Sequence, residues 1–191
     1  MKTLILASAS PRRKALMEQI GLQFQVDRWD QPETEYLNLK PEQLVATLSL
    51  EKAWNISQKY PEALIIAADT IGVLRGKIVG KPHTPEEACK ILHMLNGRSH
   101  RVITGLAILD SASKRTVTRI EETRVFIKRL SSAEIEKYVE TGEPLDKAGA
   151  YAIQGLGSII VEKIIGDYYN VVGLPLNALA ECLKEFGVKV L

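Results

Sequence analysis

Residues 4–21, LILASASPRRKALMEQIG, constrain the fold more than any other stretch of the chain. The uninterrupted apolar run Leu4, Ile5, Leu6 and Ala7 reads as a buried strand. Ser8-Ala9-Ser10-Pro11 then turns that strand into a helix, with Ser10 placed to cap it and Pro11 at the first helical position. Arg12, Arg13 and Lys14 crowd the first turn, where the positive end of the helix dipole opposes each cation by roughly 0.3–1 kcal/mol. Orphan backbone N–H groups, the hydroxyls of Ser8 and Ser10, and two guanidinium forks together describe an anion site, most naturally for phosphates. The alternative is an exposed basic turn that tolerates the dipole. The strand and serines ahead of it favour the anion site.

Residues 22–26 alternate like a short strand, and residues 27–40 form a polar stretch without periodicity, read as a surface loop that carries Asp30, Glu33 and Glu35. Pro41 opens a helix to about Tyr60, in which Pro41, Leu44, Val45, Leu48 and Lys52 share one face. A lysine on an apolar face either snorkels to solvent or reaches a ligand from a packed wall. Leu64, Ile65, Ile66, Ala67 and Ala68 form the run expected of a central strand, with Asp69-Thr70 at its carboxyl end, where open α/β sheets gather ligands. An aspartate closing a turn is the other reading of that position.

Residues 71–79, with Gly72 and Gly76, predict a hairpin that delivers Gly80-Lys81-Pro82. Thr84-Pro85-Glu86-Glu87 is a capping box opening a helix to Asn96-Gly97. Residues 99–130 are rich in Val, Ile and Thr around Asp110-Ser111-Ala112-Ser113, which predicts a long hairpin extending the sheet. Ser131 with Glu134 caps a short helix to about Glu140. Residues 143–157, EPLDKAGAYAIQGLG, are too glycine-dotted for a regular element and read as a binding loop. Residues 158–165 and 168–172 are predicted strands, 175–186 a closing amphipathic helix, and 188–191 an added edge strand.

The unusual positions are Ser8, Ser10, Arg12, Arg13, Glu33, Lys52, Asp69, Lys81 and the 143–157 loop. These cations and carboxylates suit a triphosphate, which carries about four negative charges, together with a divalent metal. A chain of 191 residues supports one domain with one core, and its +2 net charge is too small for a long-range nucleic-acid or membrane footprint. Several familiar sites are missing. No Gly-x-x-x-x-Gly-Lys-Ser/Thr loop is present, Gly155-Leu156-Gly157 is too short for a dinucleotide fingerprint, and His83, His93 and His100 lack zinc-hydrolase spacing. Cys89 and Cys182 fall on predicted helices and read as reduced core residues of a cytoplasmic protein.

The stretches LASASPRR at 6–13, Glu33, EKA at 51–53, AADT at 67–70, GKP at 80–82, GEPLDKAGAYAIQGLG at 142–157 and YYNVVGLPL at 168–176 closely resemble the Maf family of nucleoside triphosphate pyrophosphatases over nearly the whole length. The resemblance implies a single Maf-like domain over residues 1–191. Its α/β fold would be an elongated mixed sheet flanked by helices, of the inosine triphosphate pyrophosphatase-like (Maf/Ham1) kind, with a central cleft. It implies hydrolysis between the α and β phosphates, with a divalent metal cation (Mg, Mn or Co), to a nucleoside monophosphate and pyrophosphate.

The DKAGAYAIQG form of the late loop is similar to the branch acting on dTTP and UTP; the branch acting on methylated GTP has serine and phenylalanine at Ala150 and Tyr151. By the same carry-over Asp69 matches the family's proton acceptor; as a carboxylate that stays ionised near a divalent cation it is also expected, with Glu33, to hold the metal. Arg12, Thr70 and Gln154 match the family's specificity positions; Arg12 and Arg13, with Ser8 and Ser10, are expected to bind the triphosphate, and Lys52 and Lys81 to bind it and act catalytically by stabilising charge on the pyrophosphate leaving group. The expected partner is a small-molecule nucleoside triphosphate, with no nucleic acid and no membrane, and a homodimer is compatible. The alternative is a nucleotide-binding regulator of septum formation that does not consume its ligand, or a pyrophosphatase for a different modified nucleotide.

Overall fold

The structure, a computed structural model, describes residues 2–28 and 39–191. Its elements in chain order are β1 (Thr3–Leu6), α1 (Pro11–Gln19), β2 (Phe24–Val26), α2 (Pro41–Ser57), β3 (Ala63–Leu74), β4 (Lys77–Val79), α3 (Pro85–Leu95), β5 (Ser99–Asp110), β6 (Thr116–Ile127), α4 (Ser132–Glu140), β7 (Val161–Ile165), α5 (Tyr168–Val172) and α6 (Leu176–Lys184). Single 3₁₀ turns cover Glu143–Asp146 and Gly155–Ile159. The described strands form one mixed sheet of seven, in the order β2-β1-β3-β5-β6-β7, with β4 paired to β3 off this path. Among the described residues, no helix is long and apolar enough to cross a membrane.

The chain divides into two compact units. The first comprises Met1–Asp69, Thr104–Glu121 and Gly173–Leu191. In it β1 pairs in parallel with both β2 and β3, and Leu4 to Leu6 face Leu64 to Ile66 in register. Both runs are buried, which is why they show no polar alternation. Ile5, Ala7, Ala53, Ile56, Ala63, Ile65, Ala67, Ala107 and Leu109 make one core cluster, with Leu50 and Tyr60 packed against it. Helix α2 sits on β5 at Gly105, where a Cβ would overlap the Val45 carbonyl group. The β5–β6 turn is built on Asp110, whose Oδ1 accepts from the Ala112 N–H at 3.1 Å and whose Oδ2 pairs with Lys2 at 2.5 Å.

The second unit comprises Thr70–Ile103 and Glu122–Val172. Its core packs α3 and α4 residues (Leu92, Leu95, Ile135, Val139) with Val102, Val125, Ile127 and Tyr151. Ser131 caps α4 with the expected reciprocal box, its Oγ accepting from the Glu134 N–H and Glu134 Oε2 accepting from the Ser131 N–H. Buried His100 meets Tyr151 edge-on, with Nε2 2.9 Å from Oη. His100 Nδ1 has no hydrogen-bond partner among the described residues.

Three sequence expectations are corrected. Asp69 and Thr70 do not follow the strand but lie inside β3, because its second half continues as one arm of the hairpin with β4, Gly72 to Leu74 facing Val79 to Lys77. Residues 168–172 are helix α5, not a strand. Asp167 Oδ1 accepts from the Tyr169 N–H at 2.8 Å, and buried Asn170 donates to the Val102 carbonyl and to Thr123 Oγ1, both at 3.0 Å. Those anchors override the β propensity of Tyr and Val. Residues 188–191 form no strand; buried Val188 instead donates its N–H to the Leu183 carbonyl, closing α6.

Burial lowers the pKa of His100 from 6.5 to about 4. Between those values the unfolded chain binds a proton that the folded chain does not, so stability rises with pH there. The contribution is complete above pH 6.5 and is lost as pH falls towards 4, about 3 kcal/mol in all. Urea unfolding at pH 7 and pH 5 should therefore show the parent losing about 2 kcal/mol more than His100→Gln, which keeps a polar group beside Tyr151 but does not titrate in this range. Equal losses would place the proton elsewhere.

Candidate active site

The site residues of the first unit gather because β1 and β3 run side by side in the same direction. The Ala7 N–H donates to the Ile66 carbonyl at 2.8 Å, so the chain leaves β1 level with the segment leading to Asp69. Ser10 is the extended N-cap of α1, as expected, and its Oγ accepts from the Arg13 N–H at 3.4 Å. Ser8, itself buried, accepts at Oγ from the Ser10 N–H at 3.2 Å and from Arg13 Nη1 at 3.3 Å. Arg13 Nε donates to the Gly173 carbonyl at 2.7 Å, which fixes the plane of the guanidinium. Arg12 is half-buried on the same turn.

Lys52 is the residue that reaches a partner from a packed wall. It lies on the face of α2 that carries Val45 and Leu48, and its Nζ stands 2.5 Å from Asp69 Oδ1, with the two side chains only 15% and 12% exposed. Desolvated to that degree, the pair is short and geometrically fixed, and removing either partner strands the other. Asp69 is thereby held in one orientation at the carboxyl side of the β1–β3 pairing.

Thr70, Lys81 and Gln154 belong to the second unit. Thr70 is half-buried in β3, Lys81 is exposed just beyond β4, and exposed Gln154 immediately precedes the 3₁₀ turn Gly155–Ile159. The Gly149 N–H donates to the Gly80 carbonyl at 3.1 Å, so the late loop is tied to the Gly80-Lys81-Pro82 segment. Tyr151 is buried against His100.

Glu33 lies outside the described residues, as do Asp30 and Glu35. Among the described residues no group of three His, Cys, Asp or Glu could hold a metal ion. The donor that Asp69 supplies is a hard carboxylate oxygen, the type that suits Mg or Mn when substrate phosphates complete the coordination.

Residues that sequence reasoning does not single out are Gly173, through its carbonyl, and the pair Tyr138 and Glu143, which organise the late loop. In the sequence Glu143 is one letter of a longer motif, and nothing in its spacing to Tyr138 marks it.

The family model described as Maf-like protein matches residues 3–186. The dTTP/UTP pyrophosphatase of Pelotomaculum thermopropionicum is 47% identical over 191 residues, covering 100% of both chains. That of Halalkalibacterium halodurans is 47% identical over 187 residues, 98% of this chain and 97% of the relative. A solved Ham1 protein from Coxiella burnetii aligns with a TM-score of 0.57 at 16% identity, over 97% of this chain and 100% of that one, a likeness of fold. With a family model matched almost from end to end and relatives nearly half identical over their whole length, the chain belongs to the Maf-like family.

Proposed function

We propose that the protein hydrolyses dTTP and UTP between the α and β phosphates, releasing a nucleoside monophosphate and pyrophosphate. The observation that carries this reading is the desolvated Lys52–Asp69 pair beside the Ser8, Ser10 and Arg13 cluster at the start of α1, in a chain whose full-length relatives are named dTTP/UTP pyrophosphatases. Asp69 acts as proton acceptor for the water that attacks phosphorus, and Lys52 orients its carboxylate through Oδ1. Arg12, Arg13 and Lys81 bind the triphosphate and oppose the negative charge that builds on the departing pyrophosphate. Asp69 and Glu33 would hold a divalent cation, Mg, Mn or Co, which supplies charge neutralisation to the phosphates. Gln154 offers an amide donor and acceptor to the carbonyl and N–H edge of uracil or thymine.

Asp69→Asn keeps an oxygen for Lys52 but cannot accept the proton, so kcat should fall by about a thousandfold or more while the circular dichroism spectrum is unchanged. Near-parental turnover would remove Asp69 from this role. Arg13→Ala removes a charged fork and should raise KM by roughly ten- to a hundredfold, equally for dTTP and UTP. A loss confined to one nucleotide would mean that Arg13 reads the base.

Cytosine presents an amino group where uracil has a carbonyl, and a polar group left unpaired once the base covers it costs roughly 1–3 kcal/mol. Values of kcat/KM should accordingly favour dTTP and UTP over CTP by at least about tenfold, and Gln154→Ala should narrow that gap. An unchanged ratio in the variant would exclude Gln154 from recognition.

A further inference from the structure

Residues 152–157, which carry Gln154, are held at both ends by one hydrogen-bonded pair of side chains. At the near end the Ala152 N–H donates to Tyr138 Oη at 3.2 Å. Tyr138 Oη in turn donates to Glu143 Oε1 at 2.7 Å. At the far end the Gly157 N–H donates to the same Oε1 at 2.8 Å, and the Leu156 N–H donates to Oε2 at 3.0 Å. Gly155 lies between, with φ +68°, where a Cβ would overlap the Glu143 carboxylate.

The base of this device is fixed as well. Tyr138 is buried on α4, and Glu143 opens the 3₁₀ turn after that helix. The Glu143 N–H donates to Thr141 Oγ1 at 3.2 Å, and its carbonyl accepts from Lys147 Nζ at 2.6 Å. An ionised carboxylate accepts hydrogen bonds and donates none, so it matches three converging donors as no amide could.

We propose that Glu143 is the positioning residue for pyrimidine recognition: with Tyr138 it holds the 152–157 backbone in the one conformation that presents the Gln154 amide to the base. This rests on the recognition role proposed above for Gln154. Burial raises the pKa of Glu143, but the hydrogen bonds from Tyr138, Gly157 and Leu156 and the charge of Lys147 outweigh it, holding the carboxyl below its ordinary value. The group is therefore ionised throughout the neutral range, and the loop is held across it. Glu143 touches no reacting atom in this scheme, so its loss falls on discrimination between bases.

The test compares kcat/KM for UTP and CTP in the parent, Glu143→Gln, Gln154→Ala and the double variant, with melting temperatures taken alongside. In Glu143→Gln an NH₂ group faces converging N–H donors, and the UTP/CTP ratio should fall roughly fivefold or more. In the Gln154→Ala background the same change should move the ratio by less than about twofold, because the two residues act as a unit. Where Glu143→Gln does not fold, Tyr138→Phe carries the same comparison, since it keeps the buried ring and removes only the hydroxyl that bridges both ends of the loop. A ratio that Glu143→Gln leaves at the parental value, or lowers equally with and without Gln154, overturns the proposal alone. A parent that does not prefer UTP over CTP overturns the recognition reading and this proposal together.

Discussion

Everything in the first unit depends on the parallel pairing of β1 with β3. Parallel neighbours send their carboxyl ends to the same side, and the register of Leu6 opposite Ile66 sets the stagger between the two segments that leave them. After β1 comes the serine-capped start of α1, which carries Arg13; after the paired part of β3 comes Asp69. Backbone pairing thus sends the segments that carry Arg13 and Asp69, two groups of opposite charge, to the same side.

The second requirement is that α2 stay in place, since its position is what brings Lys52 to Asp69. Apolar packing through Val45, Leu48, Ala53 and Ile56 supplies the cohesion, and the contact of Gly105 with the Val45 carbonyl sets the spacing. Cohesion of that kind is non-directional, whereas backbone against backbone is not. The glycine thus turns a general attraction into a defined distance, and the ion pair inherits that definition.

The β1–α1 junction is legible in the sequence because every signal in it is local: an apolar run, a serine cap, a proline at the first helical position. The same holds for the Ser131 box and the Asp110 turn. Asp69 stands out in the sequence as a residue but not as a mid-strand position, because an apolar run leading into a polar pair looks the same whether the strand stops or passes into a hairpin. Helix α5 escapes a local reading because its anchors, Asn170 to Val102 and Thr123, join residues 68 and 47 positions apart. The candidate site residues are named from the sequence by motif resemblance, whereas their contacts are not legible there: Lys52 to Asp69 spans 17 positions and Arg13 to Gly173 spans 160. Tyr151 shows the limit from the other side. It lies in a stretch that reads as a binding loop, yet it is buried against His100 and packs in the core.

The order of the sheet also bears on how its edges meet other chains. Among the described residues the ends of this order are β2 and β7, of three and five residues, with the three-residue β4 paired to β3 off it, while the twelve-residue strands β3, β5 and β6 lie inside. An edge strand offers unpaired amides and carbonyls to any passing chain, and the hazard grows with its length and flatness. Here β7 is broken by a register shift opposite Phe126 and Ile127, and it carries Glu162 and Lys163. A short, charged and irregular rim is a poor template for intermolecular strand addition.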